Sequence, residues 1–344
     1  MSAGRVLTQR ELNRALLARQ LLLERAPTPL PRALERIGGI QAQYAPSMYI
    51  GLWSRLANFE RDQLTRALER RSVVQGTLMR ATIHLVSRGD YWPFATGIRQ
   101  GLLEWWLRVH GRGTDVRELE ADARKVRGAL RGKTLGRIEL EDVLGKRLGL
   151  SRLALELVRV PPSGTWERRR ADLYGLAEDW VGPEDVSPEQ GIELLVRRYL
   201  GGFGPAPATD IADWAGLNVS ATRTALEKIE LRRFHDENGK ELVDVPRAPL
   251  PDPETPAPVR FLPVWDATLL VHARRTGILP ERYRPRVFNV KTPHSVNTFL
   301  VDGQVAGTWK HDQDRIRLQP FGQLPRGVRA ELDEEAERLA AFHA

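Results

Sequence analysis

Cysteine is absent from the 344-residue chain, which excludes disulfides, thiolate zinc sites and cysteine nucleophiles. Lysine is scarce as well: all but seven of the 52 basic side chains are arginines. No lysine sits in a motif that suggests a Schiff base, which argues against lyase chemistry through a covalent imine. No run of apolar residues is long enough to span a membrane. The opening MSAGRVLTQREL turns polar at once and lacks the apolar core of a signal peptide, so a cytoplasmic protein is expected. The seven histidines show no paired ligand spacing, and neither a Walker-type phosphate loop nor a Gly-x-Ser-x-Gly elbow occurs. The sequence therefore offers no metal site and calls for no cofactor.

Apolar residues make up 42% of the chain, enough for packed cores, and its length suits roughly two to four small domains. The net charge of +8 and a pI of about 10.0 point to a polyanionic partner, with nucleic acid first. The bias to arginine over lysine is also what a GC-rich genome writes everywhere, so a merely solvated basic surface explains it equally well.

Along the chain, Thr8-Gln-Arg-Glu11 reads as a capping box opening a helix to about Glu24, and a short helix over Pro31–Ile37 stops at Gly38-Gly39. Ile40–Tyr44, between that glycine pair and Pro46, reads as a short strand. Helices are expected over 47–56 and 60–71, then strands over Val73–Met79 and Thr82–Val86 around an Arg80-Ala81 turn. Thr134–Leu148 suggests two further helices. Pro188–Leu200 has helical periodicity, and Gly201–Gly204 reads as a loop. Thr209–Leu217 and Ala221–Glu230, the latter capped by Ser220, form a helix-turn-helix. Arg232–Val245 follows as a hairpin tipped by Asn238-Gly239. Pro246–Pro258, with six prolines, is a linker or wrapping segment. Residues 259–318 are strand-like with a turn at Asp302-Gly303, and a terminal helix from Glu331 should pack on the outside. The expected fold is α+β, mainly helical, with tandem winged-helix modules over 1–112, 113–186 and 187–250. Residues 251–344 hold the Pro-rich linker, a β-rich C-terminal domain and the terminal helix.

Six blocks in order carry a family likeness: Gly39–Gln43, Thr77–Leu85, Val160–Trp166, Tyr199–Pro205, Leu262–Leu270 and Leu300–Trp309. Together they resemble the AlkZ/YcaQ-like bacterial DNA glycosylases, which are built from tandem winged helices. Members of that family divide by a glutamine-x-glutamine or glutamine-x-aspartate motif. Here Gln41-Ala42-Gln43 is similar to the azinomycin-resistance, glutamine branch. The resemblance implies catalysis by Gln41 and Gln43 on N7-alkylguanines in double-stranded DNA, including those within interstrand crosslinks, by a protein expected to be a monomer.

A carboxamide suits such chemistry, because an N7-alkylated guanine already carries the positive charge that makes it a leaving group. The enzyme must place a water and stabilise an oxocarbenium-like sugar, and a glutamine carbonyl is too weak a base for neutral lesions. Without the resemblance, Gln41 and Gln43 read as polar residues on the wet face of an edge strand. Arg80, Thr82 and His84 stand beside them as candidate contacts to phosphate or water, with a buried, hydrogen-bonded His84 an equal alternative. Arg168, Arg169 and Arg170, following Trp166, offer charge beside a stacking group or else a solvated helix face. Lys291, His294 and Ser295 mark a candidate hairpin that probes DNA, and Ser220, Thr222 and Arg223 a candidate recognition helix. The competing readings are a non-catalytic winged-helix DNA-binding regulator and a protein that sequesters an alkylating natural product.

Overall fold

Thr8 opens the first helix. Its hydroxyl accepts the Glu11 N–H while the Glu11 carboxylate takes the Thr8 N–H at 2.8 Å, which closes the capping box at the start of α1 (Gln9–Arg19). The computed structural model describes residues 5–110, 115–144, 155–270, 277–289 and 294–344. α2 (Leu30–Ile37) ends on Gly38 at φ 78°, the left-handed conformation that glycine adopts without strain. The next strand, β2, is shorter than expected and holds only Ile40–Gln41. Pro46 lies in the first turn of α3 (Ala45–Trp53), so the chain must bend at Gln43 and Tyr44 to enter that helix. After α4 (Arg61–Glu69) come β3 (Val73–Thr77) and β4 (Ile83–Ser87), joined through a left-handed Arg80-Ala81 turn.

Beyond the long helix α5 (Arg88–His110) lie α6 (Val116–Leu130), β5 (Leu135–Gly136) and α7 (Arg137–Leu144). The two helices expected over Thr134–Leu148 are thus a strand and one helix, residues 145–148 lying outside the described residues. β6 (Leu157–Arg159) and β7 (Leu173–Leu176) complete a six-stranded sheet ordered β2-β4-β3-β6-β7-β5. Strands from both sides of the expected 112/113 boundary share this one sheet. Across it, Gln41 pairs with His84, His84 with Gly76, and Gly76 with Val158. Gly76 is needed in that row: a Cβ there would come within 2.6 Å of the Tyr91 ring.

α8 (Pro188–Phe203) crosses α5 where Gly97 and Gly191 meet; a Cβ on Gly97 would stand 2.7 Å from the Gly191 carbonyl carbon. The helix runs through Gly201-Gly-Phe203, so the expected loop there is helical. α9 (Ala208–Ala215) and α10 (Val219–Glu227) follow, the latter capped by Asn218, whose side chain accepts the Ala221 N–H at 2.7 Å. Asn218 thereby takes the role expected of Ser220. The hairpin β8 (Arg232–Asp236) and β9 (Glu241–Asp244) turns where the Asn-Gly pair was expected to turn it, and β1 (Val6–Leu7) joins β8 in parallel. The proline-rich stretch wraps the body and gives its carbonyls to buried arginines. Arg19 Nε donates to Pro249 at 3.0 Å and Arg14 Nε to Thr255 at 2.7 Å.

A second sheet, ordered β10 (Arg260–Leu262), β13 (Thr298–Val301), β14 (Gln304–Asp312) and β15 (Arg315–Pro320), carries the C-terminal part. Its inner residues Phe261, Phe299 and Trp309 pack into one core with α3, α4 and the terminal helix α11 (Val328–His343). That helix is not merely external, because Leu332 and Leu339 are fully buried. The fold therefore mixes helices with sheets throughout. No described helix is long and apolar enough to cross a membrane.

Arg19 and Asp244 are both inaccessible to solvent and bonded through two N–H···O contacts of 2.7 and 2.9 Å. Asp244→Ala should cost about 3–5 kcal/mol, because Arg19 would keep its charge in the interior without a counter-ion. Urea unfolding checks this; a loss under about 0.5 kcal/mol would show that the pair is not a structural tie.

Candidate active site

β2 is the outer strand of the six-stranded sheet and carries Gln41, whose cross-strand partner is His84. Gln41 is 8% exposed and its amide makes no hydrogen bond within the described residues. Gln43 lies past the strand end and is exposed. Its Oε1 accepts the Ile83 N–H at 3.2 Å, so its carbonyl is held against β4, and its NH₂ makes no hydrogen bond among the described residues. The two glutamines thus occupy one edge in different settings, one recessed and one solvent-facing.

His84 is buried, and its Nδ1–H donates to the Thr82 carbonyl at 3.0 Å, leaving Nε2 as an acceptor. Burial first, and then the Arg80 charge, push its pKa down to about 3. It is therefore neutral at ordinary pH and brings no positive charge to a phosphate. The Thr82 hydroxyl donates to the Met79 carbonyl at 3.1 Å. Arg80, at φ 53°, donates from Nη1 to the Trp214 carbonyl at the end of α9, and burial lowers its pKa. A left-handed arginine followed by a left-handed alanine is a strained pairing for non-glycine residues. The contact to α9 is part of what holds it.

Arg168, Arg169 and Arg170 sit on an irregular loop between β6 and β7, not on a helix face, and all three are exposed. Arg168 and Arg170 lie 3.3 and 3.5 Å from Asp172. Arg169 turns the other way and donates to the Tyr44 hydroxyl at 3.2 Å, immediately beside Gln43. Trp166, expected to offer a stacking face, is instead core, packed edge-on against Tyr49 at 5.6 Å and Phe342 at 5.7 Å. The exposed aromatic of this edge is Tyr44, at 40% accessibility. Sequence reasoning passed over it, although its place next to Gln43 was a usable signal.

The remaining candidates lie elsewhere. β11 (Phe288–Asn289) and β12 (His294–Ser295) form the expected hairpin, but Lys291 and the rest of its tip lie outside the described residues. Ser295 is at the base, buried, its hydroxyl accepting the Trp265 N–H at 2.7 Å. On α10, Thr222 points into the core, whereas Ser220 and Arg223 are exposed. Among the described residues, no group of three or more His, Asp or Glu side chains is gathered to hold a metal ion.

His84 also gives a pH signature. Its folded pKa of about 3 lies below the ordinary 6.5, so the unfolded chain takes up the proton first as pH falls. The stability it contributes is complete above about pH 6.5 and is lost progressively toward its folded pKa. Between about pH 7 and 5, wild type should lose about 2 kcal/mol more than His84→Asn in urea unfolding. Equal losses in the two proteins would mean that His84 is not buried in its neutral form.

Residues 34–342 match the family described as DNA glycosylase AlkZ-like. The interstrand DNA cross-link repair glycosylase of Streptomyces sahachiroi is 24% identical over 356 aligned residues, which cover 94% of this chain and 93% of that protein. The solved structure of Streptomyces sahachiroi DNA glycosylase AlkZ superposes with a TM-score of 0.82 at 19% identity, covering 98% of this chain and 97% of the other. At that identity the superposition speaks for the fold. The family match, which spans nearly the whole chain, decides membership: this protein belongs to the AlkZ-like DNA glycosylase family.

Proposed function

We propose that this glycosylase is monofunctional and hydrolyses the N-glycosidic bond of bulky or cationic N7-alkylguanine lesions in double-stranded DNA, unhooking interstrand crosslinks. The observation that carries the reading is the recessed, unengaged amide of Gln41 facing the neutral His84 across the strand edge. The crosslink part is supported by the printed name of the Streptomyces relative.

The reaction needs a water near C1′ and stabilisation of positive charge as the sugar–base bond breaks. The Gln41 carbonyl and His84 Nε2 are two acceptors on one sheet face, and a water donating to both would keep a lone pair for C1′. Gln43 has one carbonyl lone pair engaged by Ile83, which fixes its amide so that the NH₂ can donate to a sugar or phosphate oxygen. A carboxamide removes no proton outright, so the substrate must bring a good leaving group, as a cationic N7-alkylguanine does. Arg168, Arg169 and Arg170 supply charge for the phosphates beside this edge, and Arg80 and Thr82 shape it from behind.

A base tied to the opposite strand cannot swing into an enclosed pocket. An open edge lined by Gln43, Tyr44 and the arginine loop suits such a substrate. We read the three segments in which helices precede paired strands as tandem winged helices that dock on the duplex, with the β11–β12 hairpin as a further probe; Ser295, buried at its base, supports the hairpin and does not reach DNA. We take the protein to act in the cytoplasm as a monomer.

Base release from duplexes containing N7-methylguanine, and in parallel an N7-linked crosslink, tests the reading. Gln41→Ala should lose about 100-fold or more in single-turnover rate while still binding DNA. Gln43→Ala should also lose activity, and a neutral alkyl-base lesion should be released far more slowly by wild type. Tight duplex binding by wild type without release of either base would instead identify a non-catalytic DNA-binding protein.

A further inference from the structure

Where α4, the loop between β6 and β7, β14 and the end of α11 meet, basic side chains gather without an acidic partner among the described residues. His311 and His343 stack ring on ring, with centroids 4.1 Å apart and planes 14° from parallel. The His343 ring also meets Trp166 edge-on at 5.2 Å. Its Nε2 is buried and has no hydrogen-bond partner among the described residues. Arg61 lies 5.0 Å over the Trp166 ring and donates from Nη1 to the His343 carbonyl at 3.2 Å. Arg169 flanks the same indole at 6.0 Å on its way to the Tyr44 hydroxyl.

The acids close by in sequence are engaged elsewhere or lie open to solvent. Asp172 serves Arg168 and Arg170, and Asp312 pairs with Arg317. Asp62 and Glu167 are exposed, and their charges act on the Tyr49 hydroxyl. Among the described residues, no carboxylate forms an ion pair with Arg61, Arg169, His311 or His343. Burial pushes the His343 pKa down to about 4, and the neighbours that push it further are all basic: His311, Arg169 and Arg61. Like charges this close repel, and a bound anion turns that repulsion into attraction.

We propose that this junction is a phosphate seat, taking a phosphodiester of the DNA strand that runs past the glutamine edge. Arg61 and Arg169 would donate to the phosphate oxygens, and His343, once protonated, would add its charge from beneath them. The Arg169–Tyr44 contact puts the seat next to Gln43, so it fixes the backbone where the sugar must be held for hydrolysis. That a DNA strand is the source rests on the function proposed above. The shared chemistry is a phosphate oxygen, which inorganic phosphate also provides.

Histidine ring-proton resonances of the full-length protein, assigned with His311→Asn and His343→Asn, would be followed between about pH 4 and 8. Three samples are compared: no added anion, inorganic phosphate, and a short unmodified duplex. The expected result is that the His343 pKa climbs from about 4 toward the ordinary histidine range with either phosphate source. Arg169→Gln should reduce that climb and lower by about one the slope of log affinity against log salt for the duplex. No climb with bound duplex overturns the proposal. A climb with inorganic phosphate alone assigns the seat to free phosphate and overturns the DNA source. Failure of wild type to bind any duplex would defeat the proposed function and the DNA source together, while the inorganic-phosphate sample still decides whether a phosphate seat exists.

Discussion

Buried arginine–aspartate pairs tie the two ends of this chain together. Arg19 reaches Asp244 and Arg55 reaches Asp266, each through two guanidinium–carboxylate contacts, with all four side chains buried. Arg14, equally buried, ties to the Asp302 turn. Removing a charge from water costs several kcal/mol, so each pair leans on further hydrogen bonds to its donors and acceptors, although Arg55 Nε is left without one among the described residues. For Arg19 these are the carbonyls of Leu200 and Pro249, and for Asp266 the N–H and hydroxyl of Thr268. The geometry requirement makes the pairs specific: residues 14–55 accept residues 244–302 in one arrangement. β2 lies inside the clamped stretch, so its edge is presented on a frame fixed from both sides.

On that frame, neighbouring residues are set apart by small differences in environment. Gln41 and Gln43 are two residues apart, yet one is recessed beside a neutral imidazole and the other is exposed and anchored by a backbone N–H. Arg168, Arg169 and Arg170 are consecutive, yet two are held near Asp172 and only Arg169 reaches across to the glutamine edge. Gly76 adds a steric element: its missing side chain lets Tyr91 lie against the sheet next to His84. The site is thus assembled from strands and loops on both sides of the long helix α5, joined by hydrogen bonding within one sheet.

Much of the local structure was legible in the sequence because it depends on neighbours in sequence. The Thr8–Glu11 box, the Gly38 helix end, the Arg80-Ala81 turn and the Asn-Gly hairpin all obey short-range rules. Errors arose where a nearby residue competed for the same role, as when Asn218 took the cap expected of Ser220, or where Pro46 shortened β2. The motif and its family were readable, but the company it keeps was not. Nothing in the sequence indicates that Trp166 is enclosed by α11, that Arg169 meets Tyr44 from 125 residues away, or that His311 stacks on His343. These contacts follow from the tertiary clamp, which sequence periodicity does not encode.

The account rests on the claim that the Gln41 edge stabilises positive charge developing on the sugar. Affinity for a duplex carrying a cationic 1-aza sugar, compared with one carrying a neutral tetrahydrofuran abasic site, measures that directly. Wild type should bind the cationic mimic about 100-fold or more tightly relative to the neutral one, and Gln41→Ala should bind the two nearly alike. Equal affinities in wild type, or a preference that survives removal of the Gln41 amide, would contradict the account.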